Sequence, residues 1–169
     1  MQLHLMRHGI AVPPEAWSGP ENERPLTPRG TEELRRAAAG LAALGITFDL
    51  IASSPYQRAV ETARIVASAL EIAVPVEECP ALCPGARLES VLRFLEPFAD
   101  RGSLLVVGHM PDLATMALGL MGCASAPGML FGQGAVCSLE LDGLPPARGA
   151  RLDWLLPPAH LAAIAGARD

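Results

Sequence analysis

Leu50-Ile51-Ala52-Ser53-Ser54-Pro55-Tyr56-Gln57-Arg58 carries the chain from a strand into a helix with almost no connection. Leu50–Ala52 is a short apolar run closed by serine and proline, as in a buried strand. Ser54-Pro55-Tyr56-Gln57 has the S-x-x-Q pattern of a capping box, with proline at the first helical position, and predicts a helix to about Leu70. The same order recurs on both sides. Residues 2–6 read as a strand, and 9–26, with Pro13, Pro14, Gly19, Pro20 and Asn22, as an irregular loop. Thr27-Pro28 opens a helix with Thr27 as N-cap. Leu34, Ala37, Ala38, Leu41 and Leu44 are its apolar face, and Gly45 its C-terminal stop. Val74–Glu78 reads as a weak third strand that Pro75 assigns to an edge. Cys79–Gly85 is a loop, and Leu88, Val91, Leu92 and Leu95 have helical spacing. Ser103–Val107 is an apolar run of the buried parallel type, Pro111–Met121 a further helix, and 122–134 a glycine-rich loop. Val136–Leu141 and Arg151–Leu155 read as two more strands, able to pair antiparallel across Asp142-Gly143 and Pro145-Pro146.

Strand and helix thus alternate four times before the last two strands. That order predicts the α/β class, a three-layer α/β/α sandwich with a mostly parallel central sheet. No repeat or linker interrupts it, and 169 residues fit one domain, 1–169. A chain of this size buries about two thirds of its surface and needs no covalent staple. Half of its residues are hydrophobic and 18% are charged, which excludes intrinsic disorder. A net charge of -5 and a pI of about 5.3 exclude a basic nucleic-acid footprint. All 13 basic residues are arginine, which closes lysine chemistry: no Schiff base, no Walker lysine, no pyridoxal phosphate anchor. What remains is guanidinium, the group that forks onto phosphate. No stretch reaches the roughly 20 apolar residues of a membrane span. Met1–Met6 has neither the basic nor the long apolar region of a signal peptide, so the expected location is cytoplasmic, with no membrane partner. Cys79, Cys83, Cys123 and Cys137 complete no zinc pattern and read as free thiols.

Parallel sheets bind ligands beyond the carboxyl ends of their strands. Met6-Arg7-His8-Gly9 ends the first strand, Ser53-Ser54 ends the second and leads to Arg58, and Gly108-His109-Met110-Pro111 follows the fourth. No carboxylate adjoins Arg7 or His8 in sequence. Two arginine forks and the donors of two histidines suit a dianionic phosphoryl group with several acceptor oxygens. Arg58 lies in the first turn of its helix, where the dipole disfavours a cation, a placement that an anion would relieve. Its plainer reading is an exposed arginine paired with Glu61 or Glu23. His8 reads equally as a core histidine. A metal shared with His4 fails, because residues i and i+4 of a strand lie about 13 Å apart. His4 reads as structural or at the surface, and His160, after Pro157-Pro158, as solvated. Met116, Leu118, Leu120 and Met121 read as core before they read as a dimer face.

At these residues the chain resembles a family. Leu5-Met6-Arg7-His8-Gly9 is similar to the signature of the histidine phosphatase (phosphoglycerate-mutase-like) superfamily. Arg24-Pro25-Leu26-Thr27-Pro28-Arg29-Gly30 resembles its PLT-x-x-G helix start, and Ser53–Ala63 its SP-x-x-RA-x-x-TA block. Val107-Gly108-His109-Met110-Pro111 resembles the block holding its second histidine. Length and the tail Trp154-Leu155-Leu156-Pro157-Pro158 are similar to the small SixA-type phosphohistidine phosphatase branch. The resemblance implies a phosphoglycerate-mutase-like fold and a catalytic, phosphate-binding set of His8, Arg7, Arg58 and His109. His8 would be the nucleophile, passing through a phosphohistidine that water hydrolyses. Arg7, Arg58 and His109 would bind the equatorial oxygens. No metal or cofactor is expected. His8 must be neutral to attack, so a hydrogen bond from its other ring nitrogen is expected, with a partner the sequence does not show.

Two positions depart from the family pattern. Ile10 follows the R-H-G triplet where a polar or acidic residue is usual. Pro80-Ala81-Leu82-Cys83-Pro84 has Ala81 where the branch has glutamate. Glu77 and Glu78 are the nearby carboxylates that could serve as general acid. Without a strong acid the site suits an imidazole leaving group, of pKa roughly 6.5, over an alkoxide. The expected substrate is therefore phosphohistidine on a protein, a histidine kinase or phosphotransfer protein. The alternatives are a small phosphate ester on the same scaffold, with 11–24, 79–86 and 122–134 as pocket rim, or a phosphate-binding module without chemistry.

Overall fold

The computed structural model describes residues 1–123, 129 and 131–167. Of the glycine-rich loop expected at 122–134, residues 124–128 and 130 lie outside that description. Six strands form one sheet: β1 (Gln2–Arg7), β2 (Leu50–Ser53), β3 (Val76–Glu78), β4 (Ser103–Gly108), β5 (Val136–Glu140) and β6 (Arg151–Leu156). Their order is β3-β2-β4-β1-β5-β6. The first four strands run parallel, and β5 is antiparallel to both β1 and β6. The helices are α1 (Pro28–Ala43), α2 (Gln57–Ala69), α3 (Leu88–Leu95), α4 (Asp112–Leu120) and α5 (Pro158–Gly166).

Strand alternation divides the core into two layers. Leu3 and Leu5 of β1 and Leu104 and Val106 of β4 face one side, against Val91 and Leu95 of α3 and Leu113, Met116 and Leu120 of α4. Met6, Ile51, Leu105 and Val107 face the other, against Leu34, Ala37, Ala38 and Leu41 of α1, Ala59, Ala63 and Val66 of α2, and Leu161 of α5. A Cβ on Gly40 would run into the Leu161 carbonyl, so glycine there lets α5 lie directly on α1. Among the described residues no helix is long and apolar enough to cross a membrane.

The three-layer α/β reading stands, with local corrections. Thr27 caps α1 as expected, its Oγ1 taking Gly30 N–H at 2.9 Å, and Gly45 stops it with φ +72°. Leu44, placed on the apolar face by spacing, is 44% exposed, because the chain has already turned out of the helix. The S-x-x-Q capping box does not form. Helix α2 starts at Gln57 with no side-chain cap, and Gln57 pairs with Glu61 at 2.8 Å instead of reaching back. Helix α5 is an addition to the elements expected from the sequence: Pro158 is its first residue, a position where the missing N–H costs nothing.

Register fixes where the site lies. Arg7 of β1 pairs with Gly108 of β4, and Ser53 of β2 with Val107. The carboxyl ends of three adjacent strands therefore release His8, Ser54 and His109 at one edge of the sheet.

Candidate active site

Arg7, His8, Arg58 and His109 meet at that edge. His8 is 7% exposed, Arg58 4% and His109 4%. The ring centroids of His8 and His109 are 5.2 Å apart. His8 Nδ1 lies 2.8 Å from Gly9 O. A carbonyl only accepts, so the ring proton sits on Nδ1 and Nε2 presents a lone pair. Arg58 Nε donates to that Nε2 at 3.3 Å. The partner that the sequence could not supply for His8 is thus the backbone of its own neighbour.

Arg58 is neither exposed nor paired with Glu61 or Glu23. Its Nη1 donates to Glu21 O at 3.0 Å, and its Nη2 lies 3.2 Å from Glu21 Oε1. Glu61 instead takes Leu26 N–H at 2.8 Å. The ring of Tyr56 packs under Arg58 Cζ at 4.9 Å and edge-on to His109 at 5.1 Å. Arg7 Nη1 donates to Phe131 O at 2.8 Å, while its Nε is buried without a partner among the described residues.

Ser54 has left the expected cap to serve the site. Its Oγ takes Tyr56 N–H at 3.3 Å and lies 2.8 Å from His109 Nε2. With Ser54 Oγ donating to His109 Nε2, the proton of a neutral His109 sits on Nδ1. That Nδ1 is buried with no partner among the described residues, as is Arg7 Nε. Buried donors rarely stay unpaired, and a tetrahedral oxyanion is a group that would satisfy both. Among the described residues no cluster of three His, Cys, Asp or Glu side chains could hold a metal ion.

Thr62 lies within the Ser53–Ala63 block, and its buried hydroxyl ties the site together. It accepts Gly9 N–H at 3.1 Å and donates to Arg58 O at 2.6 Å. One hydroxyl thus fixes the residue whose carbonyl sets the His8 tautomer and anchors it to the helix that carries Arg58. Thr62→Val removes the hydroxyl at nearly constant shape and orphans the Gly9 N–H, at a cost of ~1–3 kcal/mol in stability. It is expected to lower kcat about tenfold, with Thr62→Ser restoring it. An unchanged kcat in the valine variant would show that Gly9 is held by other means.

The remaining candidates fall outside the cluster. His4 is not at the surface: it is 4% exposed, its ring against Phe48 and Trp154 at 5.1 and 5.7 Å. His160 is exposed on α5, and Met116 and Leu120 are core. Glu77 and Glu78 are exposed on edge strand β3. The carboxylate brought to the site is Glu21, from the loop before α1. Its ion pair with Arg24, at 2.7 Å and three residues apart, was visible as a spacing, but not its arrival at Arg58.

Burial pushes His8 down to about 4, aided by the charges of Arg58, Arg7 and Arg24 and opposed by the Gly9 carbonyl. Burial likewise takes His109 to about 3 and His4 to about 4. All three are neutral at pH 7. In the unfolded chain they titrate near 6.5, so below that pH the unfolded state gains protons that the folded state refuses. Their contribution to stability is full above about pH 6.5 and is lost as the pH falls toward about 4. The His8 Cε1–H resonance is expected to titrate near 4, and the urea midpoint to be lower at about pH 5 than at pH 7. A His8 midpoint near 6.5 would contradict the buried geometry.

The sequence profile of the histidine phosphatase superfamily (branch 1) matches residues 3–83. An uncharacterized protein of Picosynechococcus sp. is 37% identical over 119 residues, 69% of this chain and 71% of the relative. Phosphohistidine phosphatase SixA of Escherichia coli strain K12 is 28% identical over 163 residues, 95% of this chain and 96% of the relative. The structure of the protein histidine phosphatase SixA complexed with tungstate superimposes with a TM-score of 0.83 at 27% identity, covering 95% of this chain and 99% of that one.

Proposed function

The chain belongs to the histidine phosphatase superfamily, and on that premise we propose that this phosphatase hydrolyses phosphohistidine on a protein through a phosphoenzyme formed on His8. The observation that carries the reading is the His8 hydrogen bond. With Nδ1–H held by Gly9 O at 2.8 Å, Nε2 carries the unprotonated lone pair, which accepts from Arg58 Nε at 3.3 Å. In the first step His8 Nε2 bonds to phosphorus while the bond from phosphorus to the substrate nitrogen breaks, and the substrate ring, protonated from solvent at its other nitrogen, departs as neutral imidazole. In the second, water bonds to phosphorus, the bond to His8 Nε2 breaks, and inorganic phosphate leaves. The covalent detour divides one difficult displacement into two easier ones. Arg7, Arg58 and the Nδ1–H of His109 are the donors available to the equatorial oxygens, where phosphoryl transfer gains most from fixed charge.

What the site can protonate limits the leaving group. Ala81 offers no acid. Glu21 accepts two hydrogen bonds from Arg24, which hold its carboxyl below the usual carboxylate range, so it is ionised at neutral pH. An alkoxide needs a proton in the transition state far more than an imidazole does. This favours a phosphoramidate and is consistent with similarity to a phosphohistidine phosphatase along nearly the whole chain.

The test is phosphate release from a phosphohistidine peptide and from a phosphoserine peptide of matched sequence, both in excess EDTA. Faster turnover of the phosphohistidine peptide is expected. Faster turnover of phosphoserine, or of a small sugar phosphate, would overturn the substrate assignment while leaving the His8 chemistry in place.

A further inference from the structure

The loop between β1 and α1 returns a carboxylate to the phosphoryl site. Glu21 opens the short helical turn Glu21–Glu23, and its side chain is 54% exposed at the mouth. Its Oε1 lies 3.2 Å from Arg58 Nη2, a guanidinium only 5% exposed, and its own carbonyl takes Arg58 Nη1 at 3.0 Å. Arg24 braces the same carboxylate from the other side, Nε to Oε2 at 2.8 Å and Nη2 to Oε1 at 2.7 Å, and is itself tied to Val12 O at 2.6 Å. With Nε against His8 Nε2, every nitrogen of the Arg58 guanidinium has a partner from this chain. A phosphoryl group within reach of His8 must therefore bind Arg58 beside an anion or push that anion off Nη2.

We propose that Glu21 is a specificity-determining residue, the resident counter-anion of Arg58, which an incoming phosphoryl group displaces and which returns as orthophosphate departs. The inference rests on the phosphoryl reading of the site. Exchange of one anion for another on a buried arginine costs the incoming group the pairing that Glu21 already has. A phosphoryl group carried on a protein offsets that cost with contacts beyond the phosphate. Free orthophosphate, small and densely charged, has none to offer. The carboxylate thus discriminates by repulsion as well as attraction, against the compact anion and against the reaction's own product.

The probe is inorganic phosphate, its affinity read by calorimetry and by inhibition of peptide turnover, for the wild type, Glu21→Gln and Glu21→Ala. Both variants keep an exposed position and are checked for fold by circular dichroism. Both are expected to bind orthophosphate about tenfold more tightly at low salt, and the difference to shrink as salt screens the mouth. For the peptide substrate the gain is expected in KM, not kcat. Unchanged or weaker phosphate binding in both variants would overturn the proposal and make Glu21 a brace for Arg58. Calorimetry needs no turnover, so tighter phosphate binding in a protein that fails to hydrolyse the phosphohistidine peptide would separate failure of the substrate reading from failure of this one.

Discussion

In His8→Ala, phosphate release from a phosphohistidine peptide is expected to fall by ~10⁴-fold or more, while orthophosphate still binds. The two halves of this result test different things. If Nε2 forms the bond to phosphorus, its removal takes away the covalent route, and no neighbour replaces it. His109 has its Nε2 turned to Ser54 and its ring centroid 5.2 Å away from that of His8, and Cys79, 0% exposed, is buried in the core layer under α3 and α4. The anion seat, by contrast, keeps Arg7, Arg58 and His109. Alanine leaves Arg58 Nε without its His8 partner, which a phosphate oxygen can take up. An alkaline quench during turnover should show the wild type as a phosphoenzyme by intact mass, and the variant unmodified. Turnover of His8→Ala within about tenfold of the wild type would remove His8 from the chemistry and restore the binding-module reading.

How much of this was legible in the sequence depends on the range of each interaction. The βα order was readable because each element carries its own period and its own stop, and strand ends then pointed to Arg7, His8 and His109 without any family likeness. The roles proposed for them came from the likeness. The capping box failed for a reason no local pattern contains: Ser54 is claimed by His109, 55 positions away along the chain. Thr62 lies inside the SP-x-x-RA-x-x-TA block, but its task depends on Gly9, 53 positions upstream. Glu21 was hidden for the same reason. Its helical-type spacing to Arg24 is a local signal, whereas its contact with Arg58, 37 positions on, is set by how an irregular proline-rich loop closes over the sheet. Helix α5 was missed because Pro157-Pro158 is compatible with ending one element and with starting the next.

Arg58 is where these long-range claims converge, and its removal is the second large effect. Arg58→Ala is expected to lower kcat/KM by ~10³-fold or more, since loss of one positioned donor to a developing anion typically costs ~10²–10³-fold and Arg58 offers several. Arg58→Lys is expected to recover little. An ammonium is a single point of charge and cannot reach His8 Nε2, the Glu21 carbonyl and the Glu21 carboxylate together, as the guanidinium does at 3.3, 3.0 and 3.2 Å. A merely structural arginine predicts a different pattern, a loss of stability with activity per folded molecule retained. Three readouts separate the two. Activity is normalised to folded protein. The His8 titration should move up from about 4 in Arg58→Ala, because the Arg58 charge is one of the influences holding it down. Orthophosphate binding should weaken, the opposite of its behaviour in Glu21→Gln. Retained kcat/KM in folded Arg58→Ala, with the His8 titration unmoved, would refute the assignment. Weakened phosphate binding with normal turnover would assign Arg58 to product retention and leave charge stabilisation to Arg7 and His109.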